Sequence, residues 1–215
     1  PPADGSAREQ ADKAASDALL SLEGTARWDR AARDADLSFP SAASIFACAL
    51  GVSVSDSETP ALYRLLQRSL TDLGLATYPA KKAYQRSRPF LVNNQAICSP
   101  EERTDLETDG SYPSGHSAVG WGWALILSQL APERAEAILS RGRDYARSRM
   151  VCNVHWMSDT EAGMAVGAAA FAQLQNNALY QATMRAARLE LDAKTLAKPN
   201  PQACAEEAEI LSVGR

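Results

Sequence analysis

Leucines fall at positions 62, 65, 66, 70 and 73 in a stretch that opens on Thr59-Pro60 and runs to Gly74. Spacings of three and four place them on one face of a helix, with threonine as the N-cap and proline at the first helical position. The remaining chain is dominated by Ala, Leu, Arg, Glu and Gln and has no long β-branched run, so nearly every segment reads as helical. Further helices are predicted near residues 8–22, 25–36, 41–50, 79–86, 116–130, 132–147, 158–175 and 178–197. The expected fold class is all-α, one helical bundle over residues 1–215, with 199–215 as a loosely structured tail. At 215 residues and 46% hydrophobic content, one domain can bury a sizeable core.

A formal net charge of −4 argues against a dedicated nucleic-acid binder. The longest apolar stretch, Trp121 to Leu127, is well short of the roughly 18 to 20 residues that cross a bilayer, so a soluble protein with no membrane partner is expected. The chain begins at Pro1 without methionine or an apolar signal segment, and reads as a processed mature form or a trimmed chain. Cys48, Cys98, Cys152 and Cys204 show no metal-ligand spacing, which leaves free core thiols or two disulfides. A Cys98–Cys204 bridge would tether the tail, and Cys48 and Cys152 would then pair.

Basic residues are bunched. Residues 81–88 carry Lys81, Lys82, Arg86 and Arg88, and residues 141–149 carry Arg141, Arg143, Arg147 and Arg149. Any one of them alone would be a solvated helix face. Between the two runs lies GSYPSGHS, residues 110–117, where a Pro-Ser-Gly turn enters a helix and presents free backbone N–H groups to an anion. Both histidines of the chain lie beside these segments: His116 closes the turn, and His155 follows Arg149. Ser158 and Glu161 form a capping-box pattern that places Asp159 in the first turn of the next helix, four residues after His155.

Metal-free phosphoryl transfer needs cations for the equatorial oxygens, a nucleophile, and an acid for the leaving alkoxide. A neutral imidazole whose other nitrogen faces a carboxylate can attack phosphorus, and a second, protonated imidazole can serve the leaving oxygen. The sequence contains no HExxH, Cys/His set or GxxxxGK[ST] loop.

The order Lys81, Arg88-Pro89, then Pro113-Ser114-Gly115-His116, then Ser148-Arg149, His155 and Asp159 resembles the signature of the phosphatidic-acid-phosphatase and vanadium-haloperoxidase superfamily. The GSYPSGHS string is similar, more narrowly, to the class A bacterial non-specific acid phosphatases. The resemblance implies a helical bundle of that type and broad, metal-independent hydrolysis of phosphate monoesters at acid pH. It also implies a periplasmic or secreted location, a removed signal peptide and disulfide bonds. Lys81, Arg88 and Arg149 would bind phosphate with Ser114 and the backbone of Gly115 and His116. His155 would become phosphorylated, oriented by Asp159, and His116 would donate the proton. No cofactor is implied; inorganic phosphate is the product and vanadate an inhibitor. Lys82 and Arg86 compete for the roles given to Lys81 and Arg88, and motif spacing alone selects between them. Asn153 stands where close relatives lead one to expect glycine, and asparagine tolerates the same left-handed turn. A vanadate-dependent haloperoxidase shares the motif and is the alternative reading. Some close relatives are expected to form homodimers or larger homo-oligomers, and the preferred alcohol is left open.

Overall fold

A computed structural model describes residues 1–192 and 196–214. Among these residues the chain forms α1 (Ala7–Leu19), α2 (Ala26–Ala35), α3 (Ala47–Leu50), α4 (Pro60–Leu75), α5 (Tyr78–Tyr84) and α6 (Pro89–Asn93). It continues through α7 (Arg103–Thr108), α8 (Gly115–Leu130), α9 (Ala135–Val151), α10 (Met157–Leu174), α11 (Ala178–Leu191) and α12 (Pro201–Ser212), with no strand among the described residues. The all-α expectation holds.

The leucine stripe of α4 is buried at Leu62, Leu65, Leu66 and Leu73. Its start is capped differently from the sequence reading. The Thr59 hydroxyl bonds back to Ser55, and Glu190 of α11 accepts from the N–H groups of Ala61 and Leu62 at 2.7 and 2.9 Å. An acidic side chain at these otherwise orphaned donors does the work of an N-cap from a distance. Helix α8 is apolar nearly all round and therefore sits in the middle. Trp123, Ala124, Ile126 and Leu127 have no exposure, and α8 packs against α4, α9 and α10.

The contact between α8 and α10 is unusually close, and two glycines permit it. A Cβ on Gly163 would collide with the Ser114 carbonyl, and one on Gly167 with the Ala118 carbonyl. The start of α8, with its Pro-Ser-Gly turn, is thereby laid directly on the first turns of α10.

Several expected boundaries move. Residues 41–50 divide into a 3-10 turn at 41–44 and the short α3, with Phe46 at φ −103° and ψ 5° interrupting the helical backbone between them. Helix α9 runs on to Val151, and residues 87–113, where no helix is predicted, contain α6 and α7. The end of the helix predicted over 178–197 falls partly outside the described residues.

The tail is not loosely structured. Asn200 accepts from the N–H groups of Gln202 and Ala203, Pro201 opens α12, and Leu211 is buried. Glu207 of α12 pairs with Arg30 and Arg141 at 3.0 and 3.1 Å. The cysteine pairing differs from the expected one as well: Cys48 bonds Cys204 and Cys98 bonds Cys152. The cause is packing. The loop carrying Cys98 lies against the end of α9, where the Cys98 N–H donates to the Cys152 carbonyl at 3.3 Å, while α12 places Cys204 over α3.

Candidate active site

Helix α10 begins at Met157 with Trp156 as N-cap, so the predicted Ser158–Glu161 capping box does not form. Asp159 supplies the carboxylate instead, its Oδ2 accepting from the Trp156 N–H at 2.8 Å. Ser158 is committed to Asp12 through both its N–H and its hydroxyl, and Glu161 pairs with Arg8. Asp159 does lie in the first turn, as expected, and is fully buried. Its Oδ2 also accepts from the Ser111 hydroxyl, and its Oδ1 from Arg86 Nη1 at 2.5 Å.

His155 lies just before this turn and is 3% exposed. Its Nδ1 is 3.6 Å from Asp159 Oδ2 and 3.4 Å from Ser111 Oγ, so the carboxylate lies just beyond hydrogen-bond reach of the ring and the serine hydroxyl sits beside both. On the other side, Nε2 is 3.2 Å from Arg88 Nη1. A guanidinium nitrogen can only donate, so Nε2 must accept and the ring proton belongs on Nδ1, facing Asp159 and Ser111. That tautomer leaves a lone pair pointing at the cations. Burial first, then Arg88, Lys81 and Arg149, hold this imidazole neutral to well below the ordinary histidine range.

Lys81 and Arg88, and not Lys82, face the site: Lys81 and Arg88 are buried, and Lys82 is exposed. Arg86 has a separate place. It binds Asp159 on one side and Asp12 of α1 on the other, at 2.5 and 2.7 Å, and so fixes the carboxylate behind His155. Arg88 is anchored by the carbonyls of Leu106, Asp109 and Val154 at 2.9, 3.0 and 3.0 Å. Burial lowers its pKa to about 10, which leaves it charged at any working pH. Asp109 Oδ2 touches both cations, 2.8 Å from Lys81 Nζ and 3.0 Å from Arg88 Nη2.

Arg149 is the third cation. It has no exposure, and among the described residues none of its three side-chain nitrogens has a hydrogen-bond partner and its one ion pair is with Glu102, at 3.6 Å. Buried donors left open in this way cost stability unless something negative occupies them.

Ser114 is the N-cap of α8. Its hydroxyl oxygen accepts from the Ser117 N–H at 3.2 Å, and its own N–H donates to the Asp159 carbonyl at 3.0 Å. Gly115 and His116 hold the next two positions, where backbone N–H groups have no partner within the helix. Gly115 faces Thr77 and Lys81. The His116 Nε2 lies 2.9 Å from the Ala35 carbonyl, an acceptor only, so Nε2 carries a proton and Nδ1 is the nitrogen left for chemistry. Burial, then Arg149, pushes the His116 pKa well below its ordinary value, opposite to the expectation of an imidazole protonated at mildly acid pH. Asn153 takes the anticipated left-handed turn at φ 61° and bonds Asn93 and the Ala96 carbonyl.

The sequence-predicted residues thus come together around His155. Missed were Ser111, Asp109, Glu102 and the Arg86–Asp12 pair. Asp109 and Ser111 carried a signal by their place in and just before GSYPSGHS, and Arg86 by lying inside the Lys81–Arg88 segment. Glu102 carried none. Among the described residues, no group of three or more His, Cys, Asp or Glu is placed to hold a metal ion.

Residues 63–181 match the PAP2 superfamily. The chain is 40% identical to the non-specific acid phosphatase of Salmonella typhimurium, over 90% of this chain and 78% of that protein. It is 43% identical to the non-specific acid phosphatase of Salmonella typhi, over 80% and 70%. It is 38% identical to an acid phosphatase of Zymomonas mobilis, over 89% and 73%. A match across more than half of the chain, with relatives at this identity along most of their length, shows that the protein belongs to the PAP2 superfamily and, within it, to the acid phosphatases.

Proposed function

We propose that this acid phosphatase hydrolyses a broad range of phosphate monoesters through a phosphohistidine, without a metal. His155 Nε2 attacks phosphorus as the bond to the leaving oxygen breaks, and His116 Nδ1 delivers a proton to that oxygen. Water then attacks the phosphohistidine, His116 takes up its proton, and inorganic phosphate is released. Lys81, Arg88, Arg149, Ser114 and the N–H groups of Gly115 and His116 hold the phosphoryl oxygens. One observation carries the reading: a buried imidazole has its protonated nitrogen against Asp159 and Ser111 and its lone pair beside Arg88.

The acid optimum follows from the histidines. His155 stays neutral at low pH because of burial and the cations around it. His116 must be protonated, which burial and Arg149 oppose in the free protein. A bound phosphate dianion offsets Arg149 and raises the His116 pKa in the complex. Activity should therefore fall as pH rises through neutrality, and survive exhaustive EDTA treatment. Vanadate, a mimic of five-coordinate phosphorus, should inhibit. The two disulfides support a periplasmic or secreted location.

Leaving groups separate the two histidines. His116→Ala should cripple turnover of alkyl phosphates and spare much of that of an activated aryl phosphate, whose phenolate leaves unassisted. His155→Ala should abolish both, because a good leaving group cannot replace a missing attacking atom. Quenching with labelled substrate should trap an acid-labile phosphoenzyme in the parent and in His116→Ala. Label retained in His155→Ala would overturn the assignment.

A further inference from the structure

Asp109 stands on the cations assigned above to phosphate. One of its oxygens, Oδ2, lies 2.8 Å from Lys81 Nζ and 3.0 Å from Arg88 Nη2, while the side chain is 37% exposed against 5% and 1% for its partners. The carboxylate is therefore at the mouth of the site, with water on its far side.

Neither cation depends on that carboxylate for its position. Arg88 is already directed by three carbonyls, with Nε on Leu106 and Asp109 and Nη1 on Val154. Lys81 also donates to the Gly110 carbonyl. These acceptors carry no net charge, and they fix where the cations point. The donors that remain, Arg88 Nη2 and a Lys81 N–H, are those that face Oδ2. Just beyond, the chain is pinned: a Cβ on Gly110 would lie 2.9 Å from the Lys81 carbonyl, and the Ser111 N–H donates to the Arg86 carbonyl at 2.8 Å. The Asp109 side chain can swing into solvent without moving that backbone.

We propose that Asp109 is a specificity-determining residue, a resident anion that occupies Lys81 and Arg88 until a phosphoryl group displaces it. The inference rests on the phosphate reading of the site. A carboxylate oxygen and a phosphate oxygen compete for the same two donors. The phosphoryl group wins because its other oxygens also reach Arg149 and the start of α8, where Asp109 makes no contact. After hydrolysis the carboxylate returns and helps to expel inorganic phosphate. Simple monovalent anions, with fewer oxygens to offer, are kept out.

The sign of one measurement decides between this role and a merely structural one. Binding of inorganic phosphate to the parent, Asp109→Asn and Asp109→Ser should be followed by calorimetry, beside KM, kcat and the phosphate inhibition constant. Asparagine keeps the shape and removes the charge, so phosphate should bind about five- to tenfold tighter. KM and the inhibition constant should fall together, and kcat should stay level or drop as release slows. Unchanged or weaker phosphate binding in both variants, with the parent still binding it, would sink this role and leave the phosphatase reading standing. Loss of the fold in both would sink it too, since the carbonyls would then not suffice to hold the cations. No binding and no hydrolysis by any of the three proteins would remove the phosphate reading itself.

Discussion

Arg141 and Arg149 sit on the same helix, α9, about two turns apart. Both are buried, and both belong to one basic run in the sequence. Arg141 is largely answered: Nη2 meets Asp34 at 2.5 Å, Nε meets Glu207 at 3.1 Å, the guanidinium also lies over the rings of Phe46 and Tyr145, and Nη1 alone has no hydrogen-bond partner among the described residues. Arg149 is not, with no hydrogen-bond acceptor among the described residues for any of its three side-chain nitrogens. Positive charge alone therefore does not make an anion site. The difference lies in how many donors the fold leaves open, because a satisfied buried ion pair holds helices together and an unsatisfied one waits for a ligand.

The largest effect expected from breaking this comparison is on chemistry. Arg149→Met should lower kcat/KM by about 10³, the scale of losing a charged donor to the transition state. Its melting temperature should not fall, because a poorly compensated buried charge has been removed. Arg141→Met should do the reverse. Asp34 would keep Arg30 at 3.3 Å and Ser148 but lose its closest cation, and breaking a buried pair costs about 3–5 kcal/mol, or roughly 10 °C of melting temperature for a chain of this size. Its kcat/KM, measured in the cold, should stay close to that of the parent. A melting temperature lowered equally by both substitutions would erase the distinction.

A smaller effect concerns stability against pH. His155 and His116 are both held neutral below the ordinary histidine range, by burial first and then by cations, so the unfolded chain binds more protons than the folded one below pH about 6.5. The stability they contribute is present above that pH and is lost as pH falls toward their folded pKa values. Thermal scans in phosphate-free buffer should show this decline, and saturating phosphate should blunt it. The smallest effect is a shift within the titrations. The chain has only two histidines, so imidazole NMR resolves each, and Arg149→Met should move both midpoints upward. The larger shift belongs to His116, where Arg149 is the foremost charge opposing the proton, whereas at His155 Arg88 and Lys81 come first.

What the sequence made legible was whatever repeats locally or matches a fixed spacing. The α4 stripe, the all-α class and the positions of Lys81, Arg88, His116, Arg149, His155 and Asp159 belong there. What it hid depends on partners far along the chain. Asp109 finds Lys81 across 28 residues, Ser111 finds Asp159 across 48, and Arg86 finds Asp12 across 74. The tail was misread because its polar composition says nothing of Arg30 and Arg141, which wait for Glu207 on other helices. The cysteine pairing was misread for the same reason: tethering a loose end is a sound motive only if the end is loose.

Helix α12 also ties the handling of the protein to its stability. Cys204 anchors it to Cys48, and Glu207 shares Arg141 with Asp34, whose other oxygen accepts from Ser148, the residue before Arg149. A chain clipped by a protease after Pro199 keeps α12 only through Cys204, so one that was also produced where thiols stay reduced would lose Glu207 from that network, at the end remote from His155. Melting temperature, rather than kcat/KM, would then vary from one preparation to the next with redox history, although no residue at the candidate site had changed.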